Sequence, residues 1–400
     1  MEEWKEYKLG DVVRLINGRA YLQHELFDKG KYKIVRVGNL SGGDKWFYSD
    51  MELSEEKYCE DGDLLYAWAC NFGPYIWKGS KTIYHYHIWK LIENEDVVDK
   101  LFLFYYLKYV TPYWLGNVNG SVMVHITKGT MEKFHISLPS LAAQRSIATI
   151  LKSLDDKIEV NKQINDNLEQ QAQALFKSWF VDFEPFKDGE FVESELGMIP
   201  KGWYVRSAKD IFEINIGKTP PRKEQEWFSD SSEDNVWVSI ADMGSCGMFI
   251  SESSEYLTNE AIDRFNIIMV ERNTVLLSFK LTVGRVAIAD NPLTTNEAIA
   301  RFILPAVYYR EFLYLYLKQY KYENLGSTSS IATAVNSKTI KGMKLLIPPT
   351  SIISDFSEIT KPLFDKIRYT LQESRRLAQL RDTLLPRLMS GEIKVGDVTL

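Results

Sequence analysis

The chain has 400 residues, 45% hydrophobic and 26% charged, with a net charge of −6. These values exclude a disordered or fibrous chain and predict about two to four domains with cores of their own. Three scattered cysteines, Cys59, Cys70 and Cys246, exclude a disulfide framework, and the charged start Met1-Glu2-Glu3-Trp4-Lys5 predicts a cytoplasmic protein without a signal peptide.

In chain order, short β-branched runs bounded by Gly, Asn and Asp come first and predict strands. They include Ile34 to Leu40 and Gly62 to Leu65, followed by Gly73. An aromatic-rich helix is predicted over Asp99 to Tyr109. The most apolar run, Leu101 to Val110, is too short to span a bilayer and carries Lys108, so no membrane association is expected. A long helix then follows Leu138-Pro139. From Trp203 the series begins again. Trp4…Asp11-Val12-Val13…Gly18-Arg19 returns as Trp203…Asp210-Ile211-Phe212…Gly217-Lys218, and Ile34–Leu40 returns as Trp237–Met243. Gly62–Leu65 with Gly73 returns as Asn273–Leu276 with Gly284, and the aromatic helix returns as Tyr309 to Gln319. A second long helix follows Ile347-Pro348. Residues 138–180 and 347–389 align without a gap at a constant offset of 209, taking Leu154 to Leu363. Two halves of a pseudo-symmetric molecule are expected, since a solenoid repeats at about 20–50 residues.

Both helices show a heptad seam. The first runs Ile147, Leu151, Leu154, Ile158, Asn161, Asn165, Leu168, Ala172, Leu175, Trp179. The second runs Phe356, Thr360, Leu363, Ile367, Thr370, Ser374, Leu377, Arg381, Leu384, Leu388. Ser153 with Asp156 reads as a helix start, Pro362 reads as a first-turn proline, and Pro386 with Gly391 marks the end. Both seams turn polar midway, at Asn161 and Asn165 and at Thr370 and Ser374, so antiparallel pairing would bring the polar centres together. About 26 helical residues would then hold the two blocks roughly 39 Å apart, about one turn of duplex DNA. Off the seam, Ile150, Ile164, Phe176 and Phe180 predict an exposed apolar face for partner chains.

Leu138-Pro139-Ser140-Leu141-Ala142-Ala143-Gln144-Arg145-Ser146-Ile147 through Leu154-Asp155-Asp156-Lys157-Ile158 resembles the first conserved region of type I restriction–modification specificity subunits. Leu384-Leu385-Pro386-Arg387-Leu388-Met389-Ser390-Gly391-Glu392-Ile393 resembles the family's C-terminal conserved region. The second copy departs from the first where Gln144-Arg145 becomes Ile353-Ser354. The resemblance implies an α+β fold with two target recognition domains, 1–139 and 184–348, each a small twisted sheet with helices. Conserved spacer segments 140–183 and 349–400 would supply two long antiparallel helices. It further implies a non-catalytic subunit that reads a bipartite, asymmetric double-stranded DNA target. Such a subunit docks two methyltransferase subunits, which hold S-adenosylmethionine, and restriction subunits, which use ATP and Mg. The specificity subunit of a modification-only methyltransferase stays open as an alternative, as does a coiled-coil scaffold carrying protein- or glycan-binding domains.

Catalytic motifs are missing. No Asn/Asp-Pro-Pro-aromatic string occurs, Asn291-Pro292-Leu293-Thr294 being the nearest, and Gly217-Lys218-Thr219 lacks the preceding glycine of a phosphate loop, where Phe212 stands. His85 and His87 share a strand face but have no evident third metal ligand, so no metal and no cofactor is expected on this chain. Trp68, Trp77, Trp89 and Trp114 read as core. The candidates for DNA contact are loop cations and amides, which suit phosphates and base edges. They are Arg19, Arg36, Asn39, Ser121 and Lys128 in the first block, and Lys218, Arg222, Lys223, Lys280, Arg285, Asn336 and Lys338 in the second.

Overall fold

The computed structural model of the chain describes residues 4–116, 126–325 and 335–398. The chain divides into two compact units, Met1–Ile158 with Arg376–Leu400, and Glu159–Arg375. The units cut across the four linear segments expected from the sequence, because each joins one block to a part of both long helices.

In the first unit, a four-stranded antiparallel sheet runs in the order Val13–Asn17, Ile88–Glu93, Leu64–Ala67, Gly73–Ile76. A second sheet runs Phe47–Ser49, Tyr32–Val35, Thr82–Tyr84, Tyr58–Cys59, and its central pair is parallel, with Ile34 beside Ile83 and Val35 beside Tyr84. The second unit repeats this plan. Its first sheet runs Glu213–Ile216, Ile299–Ile303, Val275–Ser278, Val286–Ala289, and adds Phe249–Ile250 parallel to the last. Its second sheet places Trp237 beside Thr294 and Val238 beside Thr295, again in parallel. The predicted runs Ile34–Leu40 and Trp237–Met243 are not strands throughout. Each turns after Val35 or Val238 into a short helix, Val37–Leu40 or Ile240–Ser245, because the side chain at the third helical position, Asn39 or Asp242, accepts the N–H of Arg36 or Ser239. The aromatic helices span Lys100–Gly116 and Tyr309–Gln319.

A repeated glycine marks the same close approach in both blocks. A Cβ on Gly18 would strike the carbonyl oxygens of Tyr84 and His85, and one on Gly217 those of Thr295 and Asn296. Each block is closed by pairing an early strand with its last one, Lys5–Lys8 with His135–Leu138 and, after the short hairpin Phe191–Ser194 with Gly197–Pro200, Tyr204–Ser207 with Lys344–Ile347. The last strand of each leads directly into a long helix.

Those helices span Leu141–Phe180 and Thr350–Met389, 40 residues each. They are longer than the helical stretch expected between the two blocks and lie inside the expected segments 140–183 and 349–400, and several sequence punctuators fall within them. Ser153 is in mid-helix, Pro362 is an interior residue and Pro386 sits in the last turn. An interior proline removes one helical hydrogen bond at about 3 kcal/mol. Here Phe356 and Phe364, fully buried on either side of Pro362, offset that loss by about 2 kcal/mol of burial each. Gly391 follows the second helix with φ of 73°.

Within each unit the two helices run antiparallel. In the first, Ile147, Leu151 and Leu154 share a core with Leu384, Leu388 and the block's Phe102, Leu103 and Tyr106. In the second, Ala172, Phe176 and Phe180 share one with Phe356, Phe364, Ile367 and the block's Phe312 and Leu313. The remaining seam positions, Ile158, Asn165, Leu168, Leu175, Trp179, Leu363, Ser374, Leu377 and Arg381, are half-buried, while Asn161, Thr360 and Thr370 are fully buried. Phe176 and Phe180 are therefore not an exposed stripe. Phe312 packs on both rings, with centroids at 5.9 and 5.0 Å.

Candidate nucleic-acid interface

The cations singled out from sequence separate into two groups once their partners are known. Arg19 forms a two-point ion pair with Glu25 at 2.7 and 2.9 Å, which raises the arginine's pKa and holds the carboxylate down at about 2. Arg222 is paired in the same way with Glu255 at 2.6 and 2.9 Å and lies 4.5 Å from the rings of Phe228 and Trp237. Lys218 donates to the carbonyls of Phe265 and Asn266 at 3.0 and 3.1 Å. Arg285 donates to Ile240 O at 2.6 Å, with its guanidinium against Gly244. Lys128 is paired with Glu132 at 3.6 Å on an exposed helical turn. These groups hold the loops together.

Two amides act likewise. Asn39 accepts from Arg36 N and donates to the Gly43 and Lys45 carbonyls at 3.2 and 2.9 Å, so both its donors and its acceptor are engaged. Asn336 caps the helical turn Ser337–Lys341 by accepting from Thr339 N at 3.0 Å. Ser121 lies outside the described residues.

The second group is exposed and, among the described residues, has no carboxylate partner. It comprises Arg36, Lys223, Lys280 and Lys338. Arg36 sits 5.3 Å from the ring of Phe47, and Lys280 sits 5.8 Å from that of Phe279. Sequence reasoning missed Lys33 and Lys45, which stack on Trp46 and Phe47 at 5.0 and 5.3 Å. The run Lys45-Trp46-Phe47, cation beside aromatics, was the available signal. Trp89 is core, whereas Trp68, Trp77 and Trp114 are half-buried and pack against core clusters. No group of three His, Cys, Asp or Glu side chains suited to a metal occurs among the described residues, and no helix among them is long and apolar enough to cross a membrane.

Lys280 and Leu281 stand on the hairpin joining Val275–Ser278 to Val286–Ala289, and Cys70 stands at the same place in the first block. Both hairpins hold a non-glycine residue in the left-handed region there, Cys70 at φ 64° and Leu281 at φ 59°. The backbone is shared and the side chains differ. That is the character of a scaffold built twice to present two different surfaces.

Two copies of one recognition fold, each riding on paired helices and carrying its own set of free cations, define a two-headed nucleic-acid-specificity protein. The sequence profile of the type I restriction modification DNA specificity domain matches residues 1–170 and 200–379, and the chain belongs to that family. It is 28% identical over 472 residues to the type I restriction enzyme HindI specificity subunit of Haemophilus influenzae, covering 98% of this chain and all of that one. It is 29% identical over 327 residues to the MjaIX specificity subunit of Methanocaldococcus jannaschii, covering 77% and 72%. Its fold is similar to the crystal structure of a type I restriction–modification S subunit from M. genitalium, with a TM-score of 0.56 and 15% identity over 97% of this chain and 96% of that one.

Proposed function

We propose that this chain is the non-catalytic sequence-reading subunit of a type I restriction–modification complex. Each block reads one half of a bipartite, asymmetric duplex target, and chemistry is performed on other chains. The observation that supports this reading is the doubled scaffold with divided side chains. Equivalent backbone positions carry Arg36 and Ser239, His85 and Asn296, or Cys70 and Leu281, so the two halves of the target differ.

The partners are two methyltransferase subunits, one per pseudo-symmetric half. Each brings S-adenosylmethionine and flips an adenine out of the duplex for N6 methylation. They dock on the apolar residues that the helices leave in solvent. Ile359 and Tyr369 are 48% and 56% exposed, and the 209-residue offset carries them onto half-buried Ile150 and exposed Val160 in the first helix. Restriction subunits, with ATP and Mg, complete the assembly. The substrate is chromosomal and invading DNA, which places the complex in the cytoplasm.

The test is an exchange of residues 1–138 for the equivalent block of a relative, read by methylome sequencing of a host expressing the operon. One half of the methylated target should change and the other should not. A change in both halves, or in neither, would refute the modular reading. Native mass spectrometry should find two methyltransferase subunits per chain at saturation.

A further inference from the structure

A concavity of about 550 Å³ opens on the first block, lined among others by Arg36, Asp44, Lys45, Phe47, His85 and His87. Its chemistry is one-sided. The Arg36 guanidinium is exposed, lies 5.3 Å from the Phe47 ring and makes no ion pair among the described residues. A guanidinium held against a ring keeps its plane fixed while its N–H edge stays available, which pre-organises a two-point donor.

His85 and His87 stand two residues apart between the strands Thr82–Tyr84 and Ile88–Glu93, with ring centroids 4.8 Å from each other. His85 Nδ1 accepts the backbone N–H of His87 at 3.4 Å. A neutral His85 therefore carries its proton on Nε2 and presents a donor. Burial, then His87 and Arg36, push its pKa down to about 4, and burial with Arg36 lowers that of His87 as well. Neutral imidazoles beside an unpaired arginine are poorly suited to phosphate, which rewards charge, and well suited to a base edge. Asn39 is engaged with backbone and Asn71 donates to Ser41 Oγ at 2.7 Å, so neither competes for this role. At the rim, Asp44 is an exposed carboxylate without an ion pair among the described residues.

The second block repeats the backbone here without the chemistry. Arg19 N donates to Tyr84 O and His85 N to Val35 O, as Lys218 N does to Thr295 O and Asn296 N to Val238 O. The positions of Arg36, His85 and His87 are there Ser239, Asn296 and Ala298. A scaffold held constant while its donors are exchanged is what a specificity position requires.

We propose that Arg36, His85 and His87 form the base-reading site of the first block and that it reads a G·C pair in the major groove. Guanine presents two acceptors there, N7 and O6, and cytosine one amino donor. Arg36 donates to the guanine edge, the His85 Nε2–H adds a third donor, His87 borders it, and Asp44 accepts from cytosine N4. This rests on the reading of the chain as a DNA specificity subunit and assigns which residues of the first block make the choice.

The experiment uses the complete complex, expressed from its operon in a host without other adenine methylation and read by methylome sequencing. Residues 1–138 are exchanged in parallel to identify the half-site of the first block. The expected wild-type motif contains a G·C pair in that half. Arg36→Ala should relax that position alone, with a loss of about 5- to 150-fold in discrimination against the wrong base, while the other half stays as it was. His85→Asn, which installs the residue of the second block, should degrade the same position. Lys45→Ala should leave every letter of the motif in place and weaken binding uniformly, with a shallower salt dependence. Arg36 touches only a ring face, so an unchanged melting temperature is expected for its variant. If Arg36→Ala and His85→Asn both methylate the wild-type motif letter for letter, or if only the other half changes, the assignment is wrong. A wild-type complex that marks no bipartite motif would overturn the functional reading and this assignment together.

Discussion

Asn161 donates to Ser374 Oγ at 3.2 Å and to Glu373 Oε2 at 2.7 Å, while Thr370 Oγ1 donates to Asn165 Oδ1. The offset of 209 carries Asn161 onto Thr370 and Asn165 onto Ser374, so these are one contact seen twice about a local two-fold axis. Asn161 is fully buried and its Oδ1 has no partner among the described residues. Such a polar centre is costly in stability and selective in alignment, because any slip leaves more buried amides unpaired.

Replacing Asn161 and Thr370 together by leucine should therefore raise the melting temperature by several degrees while loosening helix register. Differential scanning calorimetry reads the first effect. Methylome sequencing reads the second, as a target whose spacer length is no longer unique. A variant that is more stable and keeps a single spacer would show that the apolar seam alone fixes the alignment.

The spacer itself should follow helix length. Deleting residues 161–167 and 370–376 removes one heptad from each helix, about 10 Å or roughly three base pairs. The same half-sites should be methylated at a shorter spacing and with lower occupancy, since the heads also rotate about the duplex. Deletion from one helix only should abolish binding. Methylation of the original target by the doubly shortened protein would rule out the helices as the ruler.

In the first unit, Asp155 accepts from Arg381 at 2.6 Å and from Tyr105 OH at 2.7 Å, tying both helices to the block. The pair is about a quarter exposed. Arg381→Met should cost about 1–2 kcal/mol, less than for a fully buried pair because water screens the carboxylate it leaves behind. With Asp155→Asn as the second change, a double-mutant cycle in urea should show coupling. Additive losses would mean that the pair is incidental.

Gly217→Ala should destabilise by about 3 kcal/mol, since the new methyl would overlap the Thr295 and Asn296 carbonyl oxygens and backbone cannot rotate away. Gly129→Ala is the control. It lies in the helical turn Lys128–Met131 with nothing within 4 Å of an added Cβ, and should stabilise by about 0.5 kcal/mol. Chemical denaturation of both variants checks the contrast.

Two cations of one hairpin should behave differently. Arg285→Ala leaves the Ile240 carbonyl without its donor and should lower stability by about 1–2 kcal/mol. Lys280→Ala should leave stability unchanged and reduce the salt dependence of DNA binding by about one phosphate contact. Equal effects on both readouts would erase the distinction between paired and free cations.

Residue order was enough to read what repeats locally. Heptad spacing located both long helices, because burial of one face at every third or fourth residue is written directly into residue order. The offset of 209 announced the pseudo-symmetry, whereas the reason Gly18 recurs as Gly217, a close backbone approach in both blocks, appeared only in the fold. The helix ends were less legible. Ser153 and Pro362 look like starts, yet Gln144, fully buried in the helix that begins at Leu141, is held by Pro139 O, Val97 O and Asp99 N. Its counterpart Ile353 is buried in the second core, which explains a divergence that residue order alone does not.

Which groups are free follows from the folded arrangement alone. Arg222 and Glu255 are 33 positions apart and Phe176 and Phe312 lie on different helices, so no spacing rule pairs them. An arginine reads the same in sequence whether a carboxylate neutralises it, as Glu25 does for Arg19, or a ring merely holds it, as Phe47 does for Arg36. That difference depends on which side chains folding brings within about 3 Å, and short-range electrostatics is decided at that distance.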